Sequence, residues 1–253
     1  MTIKIQRYGW KPQIPDHRDF TFLVLKTAKM PTNLDLCTSG YMPVIYDQGE
    51  LGSCVANATG AAFEYELKKQ KLPDFMPSRL FIYYQGRVLE NTVKYDSGLE
   101  VRDGLKVVNK FGVCPETDMP YDITKFTDAP TDNEITSAAL NKATVYQAVA
   151  QNLLAIKTAL FQGQPVVFGF TVYSNFESAN VARTGTVNMP LRSETVLGGH
   201  SVCIVGYDDR TQRFKCRNSW GTSWGQKGYF TMPYAYVTNP RLASDFWIIK
   251  TVS

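Results

Sequence analysis

The stretch from Cys54 to Lys71 constrains this chain more than any other part of it. It reads as one helix, with Ser53 as N-cap and Pro73 just past its end. Its first turns carry Ala56, Ala58, Gly60, Ala61 and Ala62, small and apolar on every side. Such a helix cannot lie on a surface. It must be enclosed, with its neighbours close. The cysteine at its tip then sits at the positive end of the helix dipole.

The segments around it follow two periodicities. A second helix is expected after Pro77-Ser78, carrying Leu80 to Tyr84, and a third over about Leu99–Phe111, stopped by Gly112. Tyr121 to Thr136, with Pro130 and several Asp, reads as a turn-rich connector. A short helix near Asn152–Phe161 follows. Strand-like runs come after it: Pro165–Val172, His200–Tyr207, Phe214–Ser219, Tyr229–Met232 and Phe246–Thr251. Helices first and strands afterwards predict an α+β protein with a helical lobe and a sheet or barrel lobe. The expected divisions are 1–29 as an N-terminal extension, 30–135 as the helical lobe and 136–253 as the β-rich lobe. Within the extension, Phe20 to Leu25 is expected to add a short strand. The extension reads either as a surface-hugging arm or as a pro-segment covering a cleft until it is removed.

Composition excludes several classes. The 253 residues are 44% hydrophobic and 20% charged, ordinary for a soluble globular protein. The net charge of +4 is mild, and no basic run interleaved with aromatics points to nucleic acid. No apolar stretch is long enough for a membrane span. Met1 to Lys11 has neither an apolar core nor a small-residue cleavage site. No signal peptide is therefore expected, and the protein would stay inside the cell or leave without a leader.

The five cysteines are an odd set. His200 and Cys203 lie three apart and face opposite sides of one strand, whereas Cys216 and Asn218 lie two apart and share a side. If His200 and Asn218 face the same cleft, Cys203 and Cys216 point opposite ways. Mostly reduced thiols are expected. No CxxC pair or Cys/His ligand spacing appears, so no redox dithiol, metal or organic cofactor is expected.

Three separated segments carry the chemistry: Asp47-Gln48-Gly49-Glu50-Leu51-Gly52-Ser53-Cys54, Gly199-His200-Ser201 and Arg217-Asn218-Ser219-Trp220-Gly221. A thiol is a weak nucleophile until it ionises. The helix tip and an imidazolium at His200 would both lower the Cys54 pKa, to roughly 3–4 in such pairs. The chain has two histidines, and His17 lies in a polar stretch, so the base is nearly forced to be His200. Asn218 can accept the second ring N–H and fix the tautomer. Trp220 can shield that bond from water. Gln48 can pair its amide NH2 with the Cys54 N–H as two oxyanion donors.

These segments resemble those of papain-like cysteine peptidases. The likeness runs from about Met30 to the C-terminus, with Pro31 to Asp35 similar to the family's mature start, and Phe111-Gly112-Val113 and Met119-Pro120-Tyr121 similar to its middle. His200 and Asn218 follow Cys54 by 146 and 164 residues, near the family's spacing. The chain departs from the pattern at Leu51, where the family has a disulfide-forming Cys, and at Val55, where it has an aromatic. It departs again at Gly199, where a polar residue is usual, and at Ser97-Gly98-Leu99, which keeps one glycine of a pair. In these it is similar to prokaryotic or viral members.

The resemblance implies a two-lobed fold with Cys54, His200, Asn218 and Gln48 in a cleft between lobes. It implies an extended polypeptide substrate, a thioester intermediate and a monomeric state as expectations, with a proteinaceous or N-terminal-segment inhibitor as a further partner. Gly98 reads as a helix-entry glycine or as a partner of substrate backbone. Trp220 and Trp224 read as packing aromatics or as cleft residues. Gly198 and Gly199 are expected beside the substrate. The subsite one residue upstream of the scissile residue is expected to be apolar, with Gly169, Gly198, Ser201 and Ser244 as walls. No third histidine exists to close the cleft as in some exopeptidases, so endopeptidase activity is expected. The alternatives are a thiol acyltransferase or amidase, and a peptide-binding scaffold or zymogen held shut by residues 1–29.

Overall fold

The computed structural model describes residues 8–24 and 29–253. Leu25 of the expected N-terminal strand and the first residues of the run read as lacking a leader lie outside them. In chain order the elements are β1 (Asn33–Asp35), α1 (Cys54–Lys69), α2 (Arg79–Leu89), α3 (Val101–Lys110) and α4 (Asp132–Ala139). There follow β2 (Ala143–Ala148), α5 (Leu153–Phe161), β3 (Val166–Tyr173), α6 (Ala179–Thr184), β4 (Val196–Asp208), β5 (Arg213–Arg217), β6 (Tyr229–Pro233), α7 (Tyr234–Val237) and β7 (Ala243–Val252).

The strands form one antiparallel sheet in the order β2-β7-β3-β4-β5-β6, with β1 added against the far end of β4. This is the α+β, two-lobed arrangement expected. Helix α1 is buried from Cys54 through Leu67 and packs on β4 and β7, so the enclosed helix follows its sequence. It ends at Lys69, and Lys71 takes a positive φ before Pro73. Ser78 caps α2 by accepting from the Phe81 N–H.

Several elements depart from expectation. Ser53 does not cap α1 with its side chain. Its Oγ lies 2.5 Å from the Tyr121 hydroxyl and accepts from Asn57 Nδ2. The connector contains α4, opened by a capping box in which Thr131 Oγ1 accepts from the Glu134 N–H and the Glu134 carboxylate accepts from the Thr131 N–H. Thr131-x-x-Glu134 was the available signal. Strand β2 was not anticipated; it is a partly exposed edge strand without clean alternation. Strand β5 ends at Arg217, which leaves Asn218 on the turn beyond it. The expected N-terminal strand is a single bridge, Thr21 to Ala148, with Phe22 buried beside it.

Two ties fix the nucleophile loop to the segment after β5. The Gln48 N–H donates to Ser219 O at 2.9 Å, and the Gly221 N–H to Tyr46 O at 3.0 Å. The buried Arg217 guanidinium adds bonds to the carbonyls of Pro43 and Val44. Residues far apart in sequence are thus held in register around the cleft. Among the described residues, no helix is long and apolar enough to cross a membrane.

Candidate active site

Cys54 begins α1 and is fully buried. The backbone N–H groups of Ser201, Gly9, Val55 and Cys54 itself bear on its sulfur and favour the thiolate. Ser201 follows His200 on β4, so the thiol lies against the strand that carries the imidazole. Burial outweighs those donors and pushes the thiol up to about 11. Burial also lowers His200 to about 4, against the raising effect of its bond to Asn218. In this arrangement both groups favour their neutral forms. Burial in the closed cleft thus opposes the thiolate–imidazolium pair expected from the sequence.

The orienting bond is present. His200 Nε2 lies 2.8 Å from Asn218 Oδ1, which also accepts from the Ser219 N–H. An acceptor in that position assigns the proton to Nε2 and the lone pair to Nδ1. Among the described residues Nδ1 has no hydrogen-bond partner. Trp220 lies 5.0 Å from the His200 ring, centroid to centroid, and covers it. Trp224 sits one ring further out, against Trp220 and Phe176.

Gln48 is fully buried. Its Oε1 accepts from Ser219 Oγ at 2.7 Å, and its Nε2 donates to Leu51 O at 2.9 Å. These bonds place the NH2 end beside the loop that leads into Cys54. Ser219 thus holds both Gln48 and Asn218, a role the sequence did not reveal.

The cleft is filled by the chain's own N-terminal arm. Tyr8 to Lys11 thread between Leu99 and Gly199: Trp10 N–H donates to Gly199 O at 2.9 Å, Leu99 N–H to Gly9 O at 2.7 Å, and Lys11 N–H to Leu99 O at 3.1 Å. The pairing with Leu99 is parallel. Gly9 touches the nucleophile loop so closely that a Cβ there would collide with Gly52 O. Tyr8 lies edge-on to His200 and donates its hydroxyl to Glu177. Further along, Arg102 holds the arm through Asp19 and the Ile14 carbonyl, and Lys11 pairs with Glu90.

These contacts locate the expected cleft residues. Gly199 contributes its carbonyl, and Gly198 lies against Tyr8. Leu99 makes the backbone bonds to the arm, while its neighbour Gly98, at φ +73°, leaves room for the Gly9 carbonyl. Trp10 lies against Gly169 and Gly199, and Gly169 is paired in register with Ser201 and Ser244. A carboxylate also faces the indole there, since Trp10 Nε1 donates to Asp245 Oδ2 at 2.9 Å. Asp245 has a φ of +63°, a backbone state that its position in sequence did not signal. The five cysteines are all free thiols, and Cys203 donates to Ala58 O instead of reaching Cys216.

Comparison with known proteins places the chain. The profile of the papain family cysteine protease matches residues 30–246. An uncharacterized peptidase C1-like protein of Acanthamoeba polyphaga mimivirus is 41% identical over 98% of this chain and 88% of its own length. The crystal structure of xylellain, a cysteine protease from Xylella fastidiosa, superposes with a TM-score of 0.91 at 42% identity, covering 100% of this chain and 99% of that one. A procathepsin B from Trypanosoma congolense shares the fold at a TM-score of 0.76 and 15% identity, over 97% of this chain and 86% of that one. Some other curated relatives are longer, and the chain spans 40% of one of them and 58% of another. With a buried thiol at a helix tip, an imidazole held by an asparagine and a family match over most of its length, the chain belongs to the papain family of cysteine proteases.

Proposed function

We propose that this chain is the closed form of an endopeptidase. Cys54 is its nucleophile, His200 its acid and base, Asn218 its orienting group, and Gln48 with the Cys54 N–H its oxyanion donors. Residues 1–29 act as a removable pro-segment, 30–135 as the lobe that carries the thiol, and 136–253 as the lobe that carries the imidazole. The substrate is an extended polypeptide, for which Leu99 and Gly199 supply backbone partners.

One observation carries this proposal. The arm binds the cleft by main-chain bonds, with a glycine N–H on the sulfur and side chains in the flanking pockets. A surface that grips extended backbone beside a thiol is suited to extended backbone as substrate. Once the arm leaves, water and the imidazole reach the thiol. His200 Nδ1 takes the thiol proton, and the thiolate attacks the carbonyl carbon. As the C–N bond breaks, His200 returns that proton to the leaving amine. Water then gives a proton to His200 and attacks the thioester, releasing the acid and the thiol. The absence of a third histidine supports cleavage within chains.

A thiol-directed alkylating reagent tests this. Cys54 is expected to label slowly in the intact chain, and quickly after the folded protein has been nicked within the arm. Peptide cleavage should appear with labelling. Cys54→Ala should remove cleavage by on the order of 10^6-fold without unfolding. Rapid labelling of the intact chain, or turnover by the alanine variant, refutes the proposal.

A further inference from the structure

The loop that leads into Cys54 is tied by polar bonds to the segment that grips the arm. Gly52, two residues before the thiol, donates its N–H to both carboxylate oxygens of Asp96, at 3.0 and 3.2 Å. The approach is close: a Cβ on Gly52 would lie 2.8 Å from Asp96 Oδ1. The Tyr83 hydroxyl donates to that same Oδ1 and accepts from the Gly98 N–H at 3.1 Å. Gly98 precedes Leu99, whose N–H and carbonyl make the backbone bonds to the arm. A bridge of hydrogen bonds, Gly52–Asp96–Tyr83–Gly98, therefore joins the nucleophile loop to the Leu99 backbone. None of its four members belongs to the arm. No disulfide ties this loop, since all five cysteines are free.

The helical lobe holds the bridge in place. Tyr83 is fully buried on α2. The buried Arg87, one turn further on, lies 4.1 Å over the Tyr83 ring and donates to the carbonyls of Val93 and Tyr95. Those bonds fix the loop between α2 and α3 just before Asp96. Burial and the Asp96 carboxylate both raise the Tyr83 pKa, so the phenol keeps the proton it donates. A carboxylate that accepts from a backbone N–H and a phenol makes charge-assisted bonds, stronger than neutral ones. The separation they govern is one to which catalysis is sensitive. A carbonyl carbon meets the thiolate only if the backbone seated at Leu99 lies in reach, and a misplacement of about 1 Å can cost about a hundred-fold.

We propose that Asp96 is a positioning residue, which sets the separation between Cys54 and the Leu99 backbone through hydrogen bonds instead of a covalent bridge. It acts through Gly52 on one side and through Tyr83 and Gly98 on the other. This rests on the cleft being a peptidase cleft.

The test compares two reactions of the nicked chain. Peptide cleavage needs substrate backbone seated at Leu99, whereas alkylation of Cys54 by iodoacetamide does not. Asp96→Ala is expected to lower kcat/KM for a peptide roughly ten- to a hundred-fold, the scale of bonds to a charged group, and alkylation by less than about three-fold. Asp96→Asn keeps an acceptor for the Gly52 N–H and should recover most of the loss. Tyr83→Phe cuts the bridge at its other end. It should lower cleavage with alkylation spared, and adding it to Asp96→Ala should cost little more, as for residues of one network. Tyr83→Phe alone decides the matter if circular dichroism shows the alanine variant unfolded. Equal falls in cleavage and alkylation, an unchanged kcat/KM, or effects of the two substitutions that multiply overturn the proposal. A peptide of residues 8–11 reads the same separation without turnover. It should protect Cys54 from alkylation roughly ten-fold less well in Asp96→Ala than in the native nicked chain. A native nicked chain that is protected but never cleaves would sink the peptidase function, and the protection ratio would still decide the role of Asp96.

Discussion

Two segments meet at Cys54, and they are held in opposite ways. Helix α1 is enclosed by the lobe around it, and its tip is fixed by polar bonds. Arg79 joins Asn57, the Asp47 carbonyl and both oxygens of Glu116, and its guanidinium stacks 4.0 Å from the Tyr121 ring centroid. The arm over residues 8–24 buries Trp10 and Phe22 but leaves Ile14, Phe20 and Leu23 at 80%, 77% and 78% exposure. It is held by main-chain bridges and a few side chains. Removing the helix dismantles a core, whereas removing the arm vacates a groove. The contrast teaches that the thiol is mounted on an enclosed helix and covered by a segment with far fewer buried side chains.

Substitution at Arg79 should break the contrast on the helix side. Arg79→Ala leaves the Glu116 carboxylate and Asn57 without their partner. It should lower stability by about 3–5 kcal/mol, measured by denaturant unfolding. Trp10→Ala should act on the arm side. It removes a buried indole worth about 3 kcal/mol and should raise the Cys54 labelling rate roughly a hundred-fold, with global unfolding little changed. If Trp10→Ala destabilised the whole protein as much as Arg79→Ala does, arm and core would be one cooperative unit and the contrast would fail.

pH sharpens the comparison. Closure holds His200 at about 4, below its ordinary 6.5, and Cys54 at about 11, above its ordinary 9. Between those two histidine values an opened cleft binds a proton that the closed one refuses, so acid favours opening there. Above the ordinary thiol value an opened cleft releases a proton that the closed one keeps, so base favours opening as well. Closure is therefore strongest between about pH 6.5 and 9. On the acid side it should weaken by up to about ten-fold per pH unit. Asp245, raised by burial, opposes opening in the carboxylate range, so the slope is best read above about pH 5. The indole N–H resonance of Trp10 reports the closed fraction, and a flat profile over that window would contradict the linkage.

The smallest effect is expected at the arm's far end. Phe22→Ala empties a contact near the Thr21–Ala148 bridge, remote from the thiol. If the arm peels in parts, it should change Cys54 labelling by less than about three-fold. A change as large as that of Trp10→Ala would mean that the arm moves as one piece.

The legibility of this protein follows the range of the forces involved. Helix α1 could be read because small apolar residues on every face leave burial as the one outcome. Cys54, His200 and Asn218 could be read because two histidines leave little choice of base. Helix α4 was legible in Thr131 and Glu134 but hidden among turn residues. Strand β2 had no alternation to betray it.

By itself the sequence determined the kinds of groups that meet: a thiol at a helix tip, an imidazole on a strand and an amide beyond the next. Those follow from local periodicity and from the scarcity of alternatives. Only the tertiary structure decided their state and their cover. Burial, which no local pattern measures, sets both protonation equilibria. The seating of Gly9 on the thiol, the backbone bonds of Leu99 and the turn of Asp245 into a pocket depend on close approach between distant segments. Close approach is a property of packing, settled only when the whole chain has folded.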